Sequence, residues 1–178
     1  MNQGPTDIHR AAWQWIGDNP NSVASRAIVQ KSPNLADFET LFSPTNRHSL
    51  LHLFTNPPGI DAEPWSPDLQ QAYEHTLSYI GAIQGALDTG VEGSAQILRR
   101  CLGFPGLIPK QFFNMVEELR PRALVILAHY FAYLARFKEI WWVGDAGARE
   151  VRAIAGVLAP EWRDMMSWPI SEVERVYA

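Results

Sequence analysis

The sequence has little cysteine and no concentrated positive charge. Cys101 is the only cysteine, so these 178 residues cannot form an internal disulfide or a thiolate zinc cluster. Aspartate and glutamate outnumber lysine and arginine, which gives a net charge of −4. Because phosphate binding needs a concentrated basic face, we expect no direct contact between this chain and nucleic acid.

Long hydrophobic runs are also missing. No stretch reaches the about 18 uninterrupted apolar residues of a membrane span, and the first residues lack the apolar segment of a secretory signal. The longest apolar run, residues 123–128, is followed by His129. We therefore expect an intracellular chain without a membrane contact.

The sequence lacks the period-two alternation of strands between hairpin turns, which argues against a β-sheet. Apolar residues instead recur every three or four positions after Ser66, as they do on one face of a helix. Ser66 is a good N-cap, Pro67 suits the first helical position and Asp68 complements the helix dipole. Gly90 predicts the end of this helix.

Two further helix starts are marked by proline. A helix is predicted over residues 93–102, ending at Gly103, with a rigid turn made by the following FPGLIP segment. Pro109 and Pro121 then begin the next two helices. The helix from Pro121 is apolar on nearly every side, so we expect it at the centre of the fold.

The C-terminal part predicts two more helices. Asp145 is expected to cap an amphipathic helix. A break is predicted at Trp168 and Pro169, before a short last helix with a capping box made by Ser171 and Glu174. The chain is therefore expected to be all-α, a single domain of seven or eight helices around an apolar core or pocket.

The chain divides into two parts by regularity. Residues 1–65 predict short helices separated by prolines and a proline-rich connector, and residues 66–178 predict the regular helical domain. We expect the two parts to pack as one compact unit.

Several strings in the second part carry a resemblance to a known family. They are LSYIGAIQGALDTG, CLGFPGLIPKQFFNMVEELRPRALVILAHYFAYLARFKEIWWVGDAG, VRAIAGVLAPEW and MMSWP. This pattern resembles the C-terminal end of the regulatory domain of fungal zinc-cluster (Zn2Cys6) transcription factors, especially the sterol-uptake-regulator type. The resemblance covers residues 73–170.

The resemblance implies an all-α effector domain whose helices surround a hydrophobic pocket. In the sterol regulators that pocket receives a sterol, and a glycine-bearing loop near the C-terminus lies beside it; residues 144–147 are the matching stretch. Family members also carry an N-terminal cluster of six cysteines that contacts DNA, which these residues lack.

One arc of the central helix combines polar groups with apolar neighbours. Arg122, Ile126, His129, Tyr133 and Arg136 share this stripe at helical spacing, so they could line a pocket and orient a ligand's polar end. The alternative is that the arginines are solvated and His129 is a hydrogen-bonded core residue. We expect the following loop to form an adjoining wall of the pocket, through Trp141, Trp142, Gly144, Asp145 and Gly147.

Three functions fit this pattern. The first is a hydrophobic-ligand-binding effector domain of a nuclear transcriptional regulator. The second is a cytoplasmic, cofactor-independent cyclase, dehydratase or isomerase acting on a polyketide or terpenoid intermediate of secondary metabolism, with His129 as acid/base and Tyr133 as hydrogen-bond donor. The third is an interaction module that forms a homodimer or contacts a full-length regulator.

A metal site is the weakest candidate. His48 and His52 are four residues apart, so on an α-helix both rings would face one side. Asp61, Glu63, Glu74 or His75 could join them there to complete a metal site or supply a general base. Such spacing is common by chance, and we expect neither a metal nor a cofactor.

The charge and the cysteine content generate a first prediction. The isolated chain should not bind duplex DNA specifically at physiological salt, because it has neither a zinc cluster nor a basic face. An electrophoretic mobility assay checks this. A sequence-dependent shift that survives competitor DNA would contradict it.

Overall fold

The computed structural model describes residues 39–57 and 65–178, and within these ranges it is helical without strands. A 3-10 helix spans Pro44–Phe54 and a second spans Pro160–Met166. Six α-helices lie wholly within the described ranges: α1 Pro67–Thr89, α2 Ser94–Leu107, α3 Lys110–Glu117, α4 Pro121–Ala135, α5 Ala146–Val157 and α6 Ser167–Tyr177. The all-α, single-domain prediction is confirmed. The short helices predicted before residue 39 lie outside the described residues.

Helix α4 is the centre of the described fold, as its apolar sequence predicts. All of its residues except Pro121 and Leu134 are buried. Every other α-helix and both 3-10 helices contact it. Within the described ranges, no helix combines the length and apolar character needed to cross a membrane.

Helix α1 starts and ends where the sequence predicts. The Ser66 hydroxyl accepts a hydrogen bond from the Leu69 amide at 3.3 Å, and Pro67 occupies the first turn. Gly90 ends the helix with φ at 61°, a left-handed conformation that glycine adopts without steric cost.

The first 3-10 helix is fastened to α1 by polar contacts. Arg47 donates hydrogen bonds to Ser78 Oγ at 3.1 Å and to Glu74 Oε2 at 3.0 Å. Leu50 and Leu53 are buried on the same 3-10 helix. Residues 44–54 therefore pack on the regular helices, and the division of the chain at residue 65 stays a prediction.

The predicted turn at Gly103 is wrong, because α2 continues through Gly103 and Pro105 to Leu107. Pro105 has no N–H with which to bond the Cys101 carbonyl, four residues earlier. The Tyr130 hydroxyl of α4 donates to that carbonyl instead, at 2.9 Å. A tertiary contact thus compensates for the proline, and local sequence carries no signal of it.

The predicted break at Trp168 and Pro169 is also wrong, because both residues lie in the first turn of α6. A proline in the first turn removes no helical hydrogen bond, since the first amides of a helix have no intrahelical acceptor. Ser171 and Glu174 therefore lie inside the helix. Asp145 occupies the N-cap position of α5, but its side chain makes no capping bond.

Helices α4 and α5 approach each other closely at Gly147. A Cβ atom at this position would lie 2.5 Å from the Phe131 carbonyl oxygen and 2.6 Å from the Ala135 nitrogen. These contacts are far closer than carbon can tolerate, and the neighbouring atoms belong to rigid helical backbone. Gly147 thus sets the distance between the two helices.

This approach generates a matched pair of substitutions on α5. Gly147→Ala should lower the free energy of unfolding by about 3 kcal/mol, because the added methyl forces the helices apart. Gly156→Ala should raise it by about 0.5 kcal/mol, because no atom lies within 4 Å of its Cβ position and alanine favours the helix. Chemical denaturation of both variants measures the difference, and equal effects would show that the helices can separate freely.

Candidate functional site

The polar stripe of α4 is buried along most of its length. Arg122 is 2% exposed, and His129 and Tyr133 are each 1% exposed. Ile126 lies between Arg122 and His129 and is fully buried. Arg136, at the end of the helix, remains partly exposed. The stripe residues therefore lie on one side of one helix, inside the protein rather than in solvent.

Arg122 is held by oxygen atoms from the end of the first 3-10 helix and from the residues just after it. Its guanidinium donates to the carbonyl oxygens of Leu53 and Thr55 and to the side-chain oxygen of Asn56. These acceptors lie more than 60 residues earlier in the sequence, so Arg122 joins two distant parts of the chain. The expectation of a solvated Arg122 does not hold, because a buried guanidinium needs such acceptors.

Two tryptophans also lie beside Arg122. Its Cζ atom lies 5.3 Å from the ring centroid of Trp65 and 5.7 Å from that of Trp162. A cation over an aromatic face is attracted by the ring quadrupole, more strongly when water is excluded. Arg122 therefore stabilises the fold, because protein groups already satisfy its charge.

His129 lies on the same side of α4 and is covered by an aromatic ring. Its Nδ1 lies 2.9 Å from the Val125 carbonyl oxygen. Because a carbonyl can only accept, Nδ1 carries the proton and Nε2 is an acceptor. Nε2 makes no hydrogen bond within the described residues. The Trp168 ring of α6 stacks on the imidazole at 5.2 Å between centroids, and the His52 ring meets its edge at 6.2 Å.

Burial changes the titration of His129. It lowers the pKa of the imidazole to about 4, partly offset by the hydrogen bond to Val125 and reinforced by His52. The ring is therefore neutral at pH 7. It can accept a hydrogen bond there, but the protonation near pH 6.5 expected of a catalytic acid/base is suppressed in this site.

Tyr133 lies one turn beyond His129. Its ring lies 4.8 Å from that of Trp168, and the Arg136 guanidinium carbon lies 5.7 Å from its centroid. Burial raises the pKa of the phenol, and the negative charge of Asp88 on α1 adds to this effect. The hydroxyl therefore keeps its proton. The structure gives it no hydrogen-bond acceptor among residues 39–57 and 65–178.

Arg136 ends the stripe in an ion pair with α6. Its Nε lies 2.5 Å from Glu172 Oε1, and Arg175 contacts the same carboxylate at 2.7 Å. Glu172 is 6% exposed. Despite this burial, the hydrogen bonds and charges of the two arginines lower the pKa of Glu172.

The loop after α4 exposes its tryptophans to solvent, unlike the buried residues of the stripe. Trp141 is 90% exposed and Trp142 is 47% exposed. Gly144 has a positive φ of 48°, and Asp145 pairs with Arg149 at 3.5 Å on the surface. Gly147 packs against the backbone of Phe131 and Ala135, which face away from the stripe. Gly147 therefore permits a close approach of α5 to α4, rather than of the loop to a ligand.

The chain is similar to a protein of Gibberella zeae described as a "Zn(2)-C6 fungal-type transcription factor". The two are 27% identical over 177 residues, in a match that covers 94% of this chain and 32% of that protein. The chain thus spans about a third of the length of this relative. No family model matches the chain, and no solved structure matches it significantly.

The similarity supports the fungal zinc-cluster family. It extends over more of the chain than the motifs at residues 73–170. The assignment to the end of the regulatory domain and to the sterol-uptake type stays a prediction.

Several residues around the stripe were missed by sequence reasoning. Trp168 was assigned to a helix break, so its contact with His129 and Tyr133 was not expected. Glu172 was not singled out, although its place four residues after Trp168 puts it on the same side of α6. On α5, Glu150 was missed too: it is 5% exposed, burial raises its pKa, and its Oε2 forms no hydrogen bond within the described residues.

The two histidines considered for a metal do not face one side. Pro44–Phe54 is a 3-10 helix with about three residues per turn, so positions four apart diverge by about 120°. His52 contacts His129, whereas His48 is exposed. In the described ranges, no three His, Cys, Asp or Glu side chains come together as metal ligands.

The lowered pKa of His129 predicts a loss of stability in acid. The unfolded chain binds a proton near pH 6.5, whereas the folded chain binds it only near pH 4, so stability is present above pH 6.5 and falls between these values. Between pH 7 and pH 4.5 the loss should be about 2 kcal/mol.

His129→Asn removes the titrating ring and keeps an N–H donor near the Val125 carbonyl. The difference in unfolding free energy between the two pH values should shrink by that amount, whatever the variant's stability at pH 7. His48→Asn, at an exposed ring, is the control. Urea titrations at both pH values measure the effect, and an unchanged pH dependence in His129→Asn would disprove the buried neutral histidine.

Proposed function

We propose that this chain is the effector region of a fungal zinc-cluster transcriptional regulator, and that it responds to a hydrophobic small molecule bound along the polar stripe of α4. The match to the Gibberella zeae transcription factor, spread over 94% of this chain, is the observation that carries the regulatory part. That protein's name speaks of transcription and not of metabolism, which favours regulation over catalysis.

Contact with DNA is assigned to another part of the regulator. A zinc cluster needs several cysteine thiolates, and these residues contain Cys101 alone, which is fully buried. The negative net charge gives no electrostatic attraction to a phosphate backbone. The region thus acts on transcription through a ligand or a protein contact.

The ligand proposal rests on two polar atoms of the stripe. The Tyr133 hydroxyl and His129 Nε2 make no hydrogen bond within the described residues, while both side chains are almost wholly buried. Neither atom is fully enclosed, because in the described ranges Glu150 Oε2 is the one fully enclosed side-chain oxygen or nitrogen without a bond, so both atoms can bond to an incoming molecule. A ligand hydroxyl or carbonyl between them would supply the bonds, with apolar contacts from Ile126 and its neighbours.

The loop after α4 supports a second contact, with protein. Trp141 is almost fully exposed and Trp142 is half exposed, and tryptophan is enriched at protein interfaces. Contact with the remainder of a full-length regulator, or with a second copy of the chain, would cover them.

A reporter experiment tests the regulatory function. The chain is fused to a heterologous DNA-binding domain in yeast, and the small molecule that copurifies with it is identified by native mass spectrometry. We expect reporter activity to change several-fold when this compound is added.

Tyr133→Phe should weaken binding of the compound about ten-fold, because one hydrogen bond is lost. Its stability should be nearly unchanged, since the hydroxyl bonds to no described residue. Tyr79→Phe is the matched control: it removes a buried hydroxyl that bonds the Arg100 carbonyl at 2.8 Å, away from the stripe. Conversion of the compound to a new mass would support the enzyme alternative, and an unresponsive reporter with no copurifying compound would refute the proposal.

A further inference from the structure

Helix α6 covers the part of the stripe that has unused hydrogen-bonding groups. Its Trp168 ring is nearly parallel to the His129 ring, at 15° and 5.2 Å, and lies 4.8 Å from the Tyr133 ring. Trp168 itself is only partly buried. One indole therefore separates the two candidate ligand-binding side chains from the surface.

Polar contacts hold α6 in this position. Its last turns are tied to the α4–α5 connection by the Tyr177 hydroxyl, which donates to the Gly144 carbonyl at 3.0 Å, and by Lys138, which donates to a carbonyl near the helix end. Arg136 and Glu172 form the ion pair described above. We call these three contacts the α6 latch.

The latch consists of polar contacts, and α6 buries few of its residues. Only Pro169, Glu172 and Val173 of α6 are buried, whereas α4 is buried on every side. Hydrogen bonds and ion pairs that break on opening are replaced by bonds to water at small net cost, unlike apolar burial. Helix α6 is therefore held in a way that permits local opening.

We propose that α6 is a releasable cover over a ligand site, and that the Trp168 indole occupies the position that an aromatic ring of the ligand takes when α6 opens. This inference rests on the proposed ligand binding at the stripe and names the chemical class of the ligand. His129 offers a flat ring for stacking, as it does to Trp168 in the closed form.

The polar atoms define the rest of the ligand. His129 donates through Nδ1 to Val125, so its Nε2 needs a donor. Tyr133 keeps its proton and needs an acceptor. A hydroxyl group satisfies both, because its proton goes to Nε2 and its lone pair accepts from Tyr133. The ligand is thus a planar aromatic compound with a hydroxyl substituent.

Hydrogen exchange of the full chain with 2-naphthol tests the cover. Ligands usually slow exchange where they bind, but a ligand that displaces Trp168 must release its helix. We expect amide exchange in Ser167–Tyr177 to accelerate on saturation with 2-naphthol, while exchange in Pro121–Ala135 slows. Slower or unchanged exchange of α6 in the saturated protein, or no binding of 2-naphthol at all, would overturn the proposal.

Weakening the latch provides a second measurement. Tyr177→Phe removes the bond to Gly144 and leaves every stripe residue and Trp168 in place. By raising the open population it should tighten 2-naphthol binding about five-fold in calorimetry. Tyr79→Phe loses an equivalent hydroxyl-to-carbonyl bond between α1 and α2 and should bind like wild type.

Removing the indole separates this inference from the proposed function. Trp168→Ala should bind 2-naphthol at least about ten-fold tighter than wild type, because the competing ring is gone. Tightening in Trp168→Ala but not in Tyr177→Phe would mean an engineered cavity without a cover and would refute α6 as the cover. A copurifying ligand whose affinity ignores both substitutions would leave the effector function intact while overturning the cover.

Discussion

Burial of α4 on every side is the constraint on which the rest of the structure depends. A helix with an apolar sequence all round must be surrounded, and each other described element supplies part of that surround. The requirement fixes details elsewhere. Gly147 lacks a side chain so that α5 can reach the backbone of α4, and Tyr130 projects from α4 to satisfy the Cys101 carbonyl that Pro105 leaves without its helical donor. These adjustments make a close-packed shell around one central helix.

The same burial gives polar residues on α4 their character. Arg122 would be intolerable in the core without partners, since an uncompensated buried charge costs several kcal/mol. Carbonyl oxygens at the end of the first 3-10 helix and just after it, and the faces of Trp65 and Trp162, lie against it. The cation therefore recruits two remote parts of the chain to the first turn of α4. Arg136 does the same at the other end, where it holds α6 through Glu172.

Between these two arginines, His129 and Tyr133 have hydrogen-bonding groups that no described residue uses. His129 bonds its own helix through one nitrogen only, and Tyr133 keeps a proton that no described residue accepts. Both rings pack against Trp168, which makes ring contacts with them but no hydrogen bond. Stability explains the two ends of the stripe, and the proposed ligand recognition would account for its centre. The regulatory family supported by sequence similarity is consistent with such a division.

The sequence alone determined the helical class, the central place of α4 and the caps of α1, because these depend on local periodicity and on residues such as Ser66 and Gly90. It also placed Arg122, His129, Tyr133 and Arg136 on one arc, which helical geometry dictates. Only the tertiary structure decided which partners they meet, since Trp168 and Asn56 are distant in the chain. It likewise overrode the local signal at Pro105, where the remote Tyr130 hydroxyl bonds the carbonyl that the proline leaves without a helical donor. Local rules fix the period of a helix and the side on which each residue lies, whereas the partners of buried polar groups depend on how remote segments pack.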